Sequence, residues 1–266
     1  MDVSKFKEIN LYLFDMDGTL YLGNRLYDFT KELLSTIKAT GRRYMFMTNN
    51  SSKSVADYIK KLEKLGIPAD REDFITSSQA TAYYLKKHHK DAKLYVCGTR
   101  SLVKELEIEG FTVTENLDEV ECIVLGNDQE LTFKKLEDIC KILLSRDVPY
   151  IATNPDYVCP TEFGSVPDCG SFIDMLYNSV KKRPVVIGKP EPLMPLLAME
   201  RTGYTKQETA VIGDRLYTDV KSGVNAGTVS VLVLSGEATL EDLKNSDVTP
   251  DLVLEDCGAI TKVIME

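Results

Sequence analysis

Two aspartates, Asp15 and Asp17, close the apolar run in NLYLFDMDGTLY, with Gly18 and Thr19 completing the turn. Three later segments carry matching polar groups: Thr48, Asn49 and Asn50 in RYMFMTNNSS, Lys189 in VVIGKP, and Asp214 with Asp219 in TAVIGDRLYTD. Carboxylates are hard oxygen donors for a divalent cation. A carboxylate beside a lysine can also serve as nucleophile or acid/base toward an anionic substrate. Each residue has a plainer reading as well. Asp15 and Asp17 suit an ordinary Asp-Gly turn, Thr48 a polar strand end, Lys189 a solvated charge, and Asp214 an N-cap for a helix beginning near Leu216. The chemical reading gains weight because the groups recur at four strand ends in chain order, and ligand sites of open parallel sheets gather at the carboxyl ends of strands.

Other chemistries find little support. The two histidines, His88 and His89, are neighbours in the polar run KKHHKD, which reads as a solvated helix end. The six cysteines (Cys97, Cys122, Cys140, Cys159, Cys169 and Cys257) include no C-x-x-C pair and several sit in apolar runs, so buried reduced thiols are expected. No G-x-x-x-x-G-K-[ST] or G-x-G-x-x-G loop occurs. A net charge of −9 without a basic run argues against a nucleic-acid polymer as partner. No segment approaches the roughly 20 apolar residues of a membrane span, and the expected location is cytoplasmic.

The elements that must position these residues alternate. LYLFD, RYMFMT and FITS read as strands separated by helices TKELLSTIKATG and SVADYIKKLEKLG, with Gly41 and Gly66 at the helix ends. A separate α/β pattern follows, with strands KLYVCG, FTVT, ECIVLGN and PYIATN and helices SLVKELEIEG and TFKKLEDICKILLSRD. NPDYVCPTEFGSVPDCG reads as a long irregular loop, and SFIDMLYNSVKK as a helix. From Pro184 the first pattern resumes, and PVVIG, TAVIG and VSVLVL read as buried parallel strands. The fold class is therefore α/β: a doubly wound parallel-sheet core formed by residues 1–78 and 183–266, with an α/β domain of residues 79–182 inserted.

The motifs DMDGT, Thr48 in MTNN, Lys189 in GKP and GDRLYTD, in that order, resemble those of the haloacid dehalogenase (HAD) superfamily. MTNNSS, VLGNDQELTFKKL, IATNPDYVCPTEFG and VIGKPEP resemble its NagD-like, or para-nitrophenyl phosphatase-like, branch. The resemblance covers nearly the whole chain. It implies a HAD-like core with an inserted cap, and a Mg²⁺-dependent phosphatase of small phosphomonoesters. In that reading Asp15 is the nucleophile and forms an aspartyl-phosphate, while Asp17 protonates the leaving group and then activates water. Asp15, Asp214 and the backbone carbonyl of Asp17 hold the metal, and Asp219 orients metal waters and Lys189. Thr48, Asn49, Asn50 and Lys189 bind the phosphoryl group. An attacking carboxylate meets repulsion of about 4 kcal/mol per unit charge pair at ~4 Å and an effective dielectric near 20, so cations are required. With Asp17 protonated, a divalent ion and Lys189 balance Asp15, Asp214 and Asp219 in formal charge. Asp17 also sets the chain apart from the superfamily's dehalogenases, which lack a second acid two residues on.

Substrate choice falls to the cap. Its loop, residues 154–170, resembles the family's specificity segment, and Cys159 occupies a position that faces substrate in relatives, or is a small buried thiol. Where the family carries Pro-Gly-x-Gly, Pro167 is followed here by Asp168, Cys169 and Gly170. Asn127 and Asp128 read as a turn before a helix capped by Thr132. Tyr21 and Leu22 fall in the family's short flap, or are surface turn residues. The expected partner is a small phosphorylated metabolite, with a homodimer formed through the cap. A phosphotransferase or mutase, and a catalytically silent binding protein, are the alternatives.

Overall fold

The computed structural model describes residues 3–161 and 163–265. Residues 1–2 and 266, the ends of the expected core, and Glu162 of the expected specificity loop lie outside the described residues. The strands in chain order are β1 (Leu11–Phe14), β2 (Tyr21–Leu22), β3 (Arg25–Leu26), β4 (Arg43–Thr48), β5 (Phe74–Thr76), β6 (Leu94–Cys97), β7 (Cys122–Leu125), β8 (Tyr150–Ala152), β9 (Val158–Thr161), β10 (Gly164–Pro167), β11 (Val185–Val186), β12 (Thr209–Gly213), β13 (Val229–Val233) and β14 (Leu252–Leu254). The helices are α1 (Thr30–Ala39), α2 (Val55–Lys64), α3 (Ser77–His88), α4 (Arg100–Ile108), α5 (Phe133–Ser145), α6 (Cys169–Val180), α7 (Leu193–Thr202), α8 (Lys221–Ala226), α9 (Leu240–Asn245) and α10 (Gly258–Met265). The chain forms two compact units. One holds residues up to Thr48, Ile59–Ile75 and those from Lys189 on; the other holds Asn49–Tyr58 and Thr76–Gly188.

The first unit is built on a six-stranded sheet ordered β14-β13-β12-β1-β4-β5, with parallel pairing from β14 across to β4. Every residue of β1 and β12 is buried. Such continuous apolar runs belong to strands covered on both faces, and α1 packs with α10 and α7 with α8 around this sheet. The strand order reverses at β1, between β4 and β12, which is the point where open α/β sheets leave a ligand crevice. Register fixes what meets there. Phe14 lies level with Phe46 and Ile212, so Asp15 emerges beside Met47 and Gly213, one residue before Thr48 and Asp214. The pair β2–β3 is a small antiparallel hairpin directly after the first motif.

The second unit has a four-stranded parallel sheet ordered β11-β8-β7-β6, with α5 and α6 enclosing an apolar cluster that includes Ile123, Leu125, Ile142 and Leu176. Three details differ from the sequence reading. PVVIG is not a core strand: Val185–Val186 pairs with β8 in this sheet, as a partly exposed edge. A β-branched run fits either sheet equally, and only its distant partners decide. The loop expected at 154–170 contains the antiparallel hairpin β9–β10. Its prolines, Pro160 and Pro167, are tolerated because the ribbon has only two strands and needs no further N–H donors. FTVT contributes one bridge, Val113 to Leu94, and no strand. Thr132 does cap α5, accepting from the Lys135 amide, and His88 ends α3 as expected.

Leu13 is fully enclosed in the central strand, whereas Leu144 is exposed on α5. Leu13→Ala is expected to cost about 2–5 kcal/mol, read as a lower denaturant midpoint, while Leu144→Ala leaves the midpoint nearly unchanged.

Candidate active site

Asp15, Lys189, Asp214 and Asp219 all come together in the first unit. Asp15 is placed by the last hydrogen bond of its strand, its amide donating to the Ile212 carbonyl at 2.8 Å. Lys189 Nζ lies 2.7 Å from Asp15 Oδ1 and 2.5 Å from Asp219 Oδ1, and donates to the Met47 carbonyl at 3.3 Å. Acceptors from two side chains and one strand carbonyl thus surround a buried ammonium. Asp219 sits in a single wide helical turn, Leu216–Val220, of a kind frequent at functional sites, and its Oδ2 accepts from the Arg215 amide at 3.2 Å.

Asp214 is held more rigidly. Its Oδ2 accepts from the Glu237 amide at 2.8 Å, and Thr19 Oγ1 donates to Oδ1 at 3.4 Å. Two glycines make room for it. A Cβ on Gly18 would lie 2.3 Å from Asp214 Oδ2, and one on Gly236 would lie 2.0 Å from it. Gly18 also has φ +88°, a conformation that L side chains rarely adopt. Asp214 is therefore not the N-cap of the following helical turn; Arg215 takes that position without a side-chain bond.

Carboxylate oxygens of Asp15, Asp214 and Asp219 all lie within 4.8 Å of one another. Burial pushes the Asp15 carboxyl up to about 8, with Asp219 and Asp214 adding to the effect and Lys189 opposing it. Burial, then the charge of Asp219, pushes Asp214 up to about 6 against the donation from Glu237. Burial disfavours the Lys189 ammonium, yet Asp15 and Asp219 more than offset this and hold it charged. Three acids face one base, so two negative charges remain uncompensated when all are ionised. Hard oxygen donors with that excess charge fit Mg²⁺.

The other expected residues are placed differently. Thr48 ends β4, buried. The Asp17 carboxylate stands outside the acid cluster: its side chain is 45% exposed, Oδ1 accepts from the Gly23 amide at 3.4 Å, and Lys61 Nζ is 4.0 Å from Oδ2. Asn49 and Asn50 belong to the second unit. Asn49 Nδ2 donates to Asp156 at 2.9 Å, and Asn50 Oδ1 accepts from the amide and hydroxyl of Ser52 at 2.9 and 2.7 Å. In the same unit Cys159 lies half-buried on β9. Asn127 is buried with its amide donating to Asp168 at 2.9 Å, and Asp128 pairs with Lys135 at 2.7 Å. Four of the remaining cysteines, Cys97, Cys122, Cys169 and Cys257, are buried free thiols. Sequence reasoning gave Thr19 no role beyond the turn, although it donates to Asp214, and no motif marks Lys61, which the fold brings to Asp17.

Two family models match the chain: haloacid dehalogenase-like hydrolase over residues 12–112, and HAD-hydrolase-like over residues 186–260. The acid sugar phosphatase of Staphylococcus aureus is 34% identical over 94% of this chain and 96% of its own length. Among solved structures, a 4-nitrophenylphosphatase from Thermotoga maritima superposes with a TM-score of 0.93 at 39% identity, covering 98% of this chain and 99% of its own. A putative NagD protein gives 0.90 at 37% identity, with 97% and 99% covered.

The raised carboxyls set a sign for pH dependence. In the metal-free folded state Asp15 and Asp214 bind protons more tightly than in the unfolded chain, so their contribution to stability is complete at pH 4 and is lost as pH rises through about 6 and then about 8. Melting in EDTA should therefore occur at lower temperature at pH 8 than at pH 5.5. Mg²⁺ needs ionised ligands, so titration calorimetry should show proton release on binding and affinity that tightens across that window. Gly236→Ala, which drives a methyl into Asp214, should weaken Mg²⁺ binding at least tenfold.

Proposed function

The chain belongs to the haloacid dehalogenase-like hydrolases, in their NagD-like branch, and is a phosphoric monoester hydrolase; on that footing we propose that it uses Mg²⁺ and an aspartyl-phosphate on Asp15 to hydrolyse small phosphorylated metabolites. The observation that carries this reading is the buried cluster in which one lysine bridges Asp15 and Asp219 beside Asp214. The names of the relatives, an acid sugar phosphatase in Staphylococcus aureus and a 4-nitrophenylphosphatase in Thermotoga maritima, support sugar and aryl phosphates as the substrate class.

Asp15, Asp214 and the main-chain carbonyl of Asp17 would hold Mg²⁺, which would supply positive charge to the phosphoryl oxygens. The Asp15 carboxylate attacks phosphorus in line, forming the acyl-phosphate bond as the ester oxygen departs. Asp17 gives its proton to that oxygen and then takes one from the water that attacks the acyl-phosphate. Lys189 contributes a fixed positive charge beside the nucleophile, and its pairing with Asp219 keeps the ammonium in place. Thr48, at the end of the neighbouring strand, supplies a hydroxyl donor, and Asn49 and Asn50 follow it as part of the phosphoryl-binding set. The reading includes residues 79–182 as a cap that selects the substrate, with Cys159 among its substrate-binding residues. Among the described residues no helix is long and apolar enough to cross a membrane, and the reading includes a cytoplasmic enzyme that pairs through its cap.

Phosphate release from 4-nitrophenyl phosphate and from a sugar phosphate should require Mg²⁺ and stop in EDTA. Asp15→Asn should bring turnover below detection with an unchanged circular dichroism spectrum; persistent turnover by that variant would overturn the nucleophile assignment.

A further inference from the structure

Asp17 is the acid of the first motif that the buried cluster leaves out. Its carboxylate is nearly half-exposed, and the bond it accepts from Gly23 is long. A surface carboxylate on so loose a tether samples several directions, whereas proton delivery to a departing oxygen needs one. The structure contains a device that narrows the choice. Lys61, on α2 and within the same compact unit, places Nζ 3.9 Å from the centroid of the Tyr21 ring and 4.0 Å from Asp17 Oδ2. Its side chain is only 18% exposed, unlike a solvated lysine. Tyr21 is itself buried and tied to the same turn: the Gly18 amide donates to the Tyr21 carbonyl at 2.8 Å, and Asp17 and Tyr21 form a backbone bridge. The ammonium thus rests on a ring fixed to the turn that carries the acid it faces.

The separation matters. At 4.0 Å the pair lies beyond hydrogen-bond distance, so the ammonium attracts the carboxylate without occupying an oxygen that must carry a proton. We propose that Lys61 is a positioning residue that fixes Asp17 for protonation of the leaving group. The inference rests on the phosphatase reading above and deepens it. In the step concerned, Asp15 Oδ bonds to phosphorus as the P–O bond to the leaving group breaks, the electron pair of that bond stays with the departing oxygen, and the Asp17 proton moves onto it. A sugar alkoxide is too basic to leave without the proton; 4-nitrophenolate is a stable anion and leaves unaided. Loss of Lys61 must therefore be felt by poor leaving groups and hardly at all by good ones.

The test compares kcat/KM for a sugar phosphate and for 4-nitrophenyl phosphate, with Mg²⁺, on the same preparation of wild type, Lys61→Met, Lys61→Arg and Asp17→Asn. This constant covers the steps up to departure of the leaving group and excludes the later hydrolysis common to both esters. The ratio of the two values does not depend on the fraction of protein that folds. Lys61→Met should lose about tenfold or more on the sugar phosphate and less than about twofold on the aryl ester, with Lys61→Arg recovering most of the ratio. Asp17→Asn should show the same bias, on the order of 10²-fold. Equal losses on both esters, an unchanged ratio, or a larger loss on the aryl ester would overturn the role of Lys61. A wild-type protein inactive on both esters would instead sink the phosphatase reading. An active wild type whose Asp17→Asn variant shows no bias would remove the acid role of Asp17, and the Lys61 proposal with it.

Discussion

Lys189 is buried between Asp15 and Asp219, with Asp214 close by, and this arrangement leaves more negative than positive charge among largely buried side chains. Carboxylates removed from water normally move apart, pair or take up protons. Here none of them can move apart. Asp214 is walled by Gly18 and Gly236 and fixed by the Glu237 amide. Asp219 is held by the turn that carries it, and Asp15 by the strand that ends there. What remains is protonation, visible in the raised carboxyls of Asp15 and Asp214, or a cation brought in from solution. A site whose own backbone forbids relaxation is prepared for added positive charge before any ligand arrives, and such preorganisation is the main source of electrostatic catalysis.

The sheet supplies that rigidity. Because the strand order reverses at β1, three neighbouring strands deliver their ends to one place, and the parallel register decides which residues emerge level with each other. Lys189 arrives by another route, three residues after β11, an edge strand of the four-stranded sheet. No strand of the core sheet carries this ammonium; acceptors on Asp15, Asp219 and the Met47 carbonyl hold it in place.

Much of this was legible because it is local. The strand-ending acids, the glycines at helix ends and the alternation of strands and helices follow from periodicity and turn chemistry over a few residues. The failures share a nonlocal cause. Val185 and Val186 have the composition of a core strand, but pairing with Tyr150–Ala152 is set by residues more than thirty positions away. Prolines hid the β9–β10 hairpin because their cost depends on whether further strands must pair, which composition does not reveal. Lys61 sits in KKLEKLG, where a lysine on an amphipathic helix reads as solvated; only the fold brings Tyr21 beneath it.

In the proposed mechanism environment, and not residue type, divides labour between Asp15 and Asp17, two identical side chains two positions apart. The strand ends at Phe14 and the chain turns, so the two do not share a face: Asp15 joins the acid cluster, where a fixed ammonium aligns it. The other is left at the rim, half in solvent and facing a cation that touches it only through space. A nucleophile benefits from the first setting, since its approach to phosphorus must be held to one line and its charge balanced by neighbours. A proton carrier benefits from the second, since it must exchange with water between its two tasks while keeping one direction during each. The motif supplies both acids; the hairpin, the tyrosine and the lysine beyond it make them different.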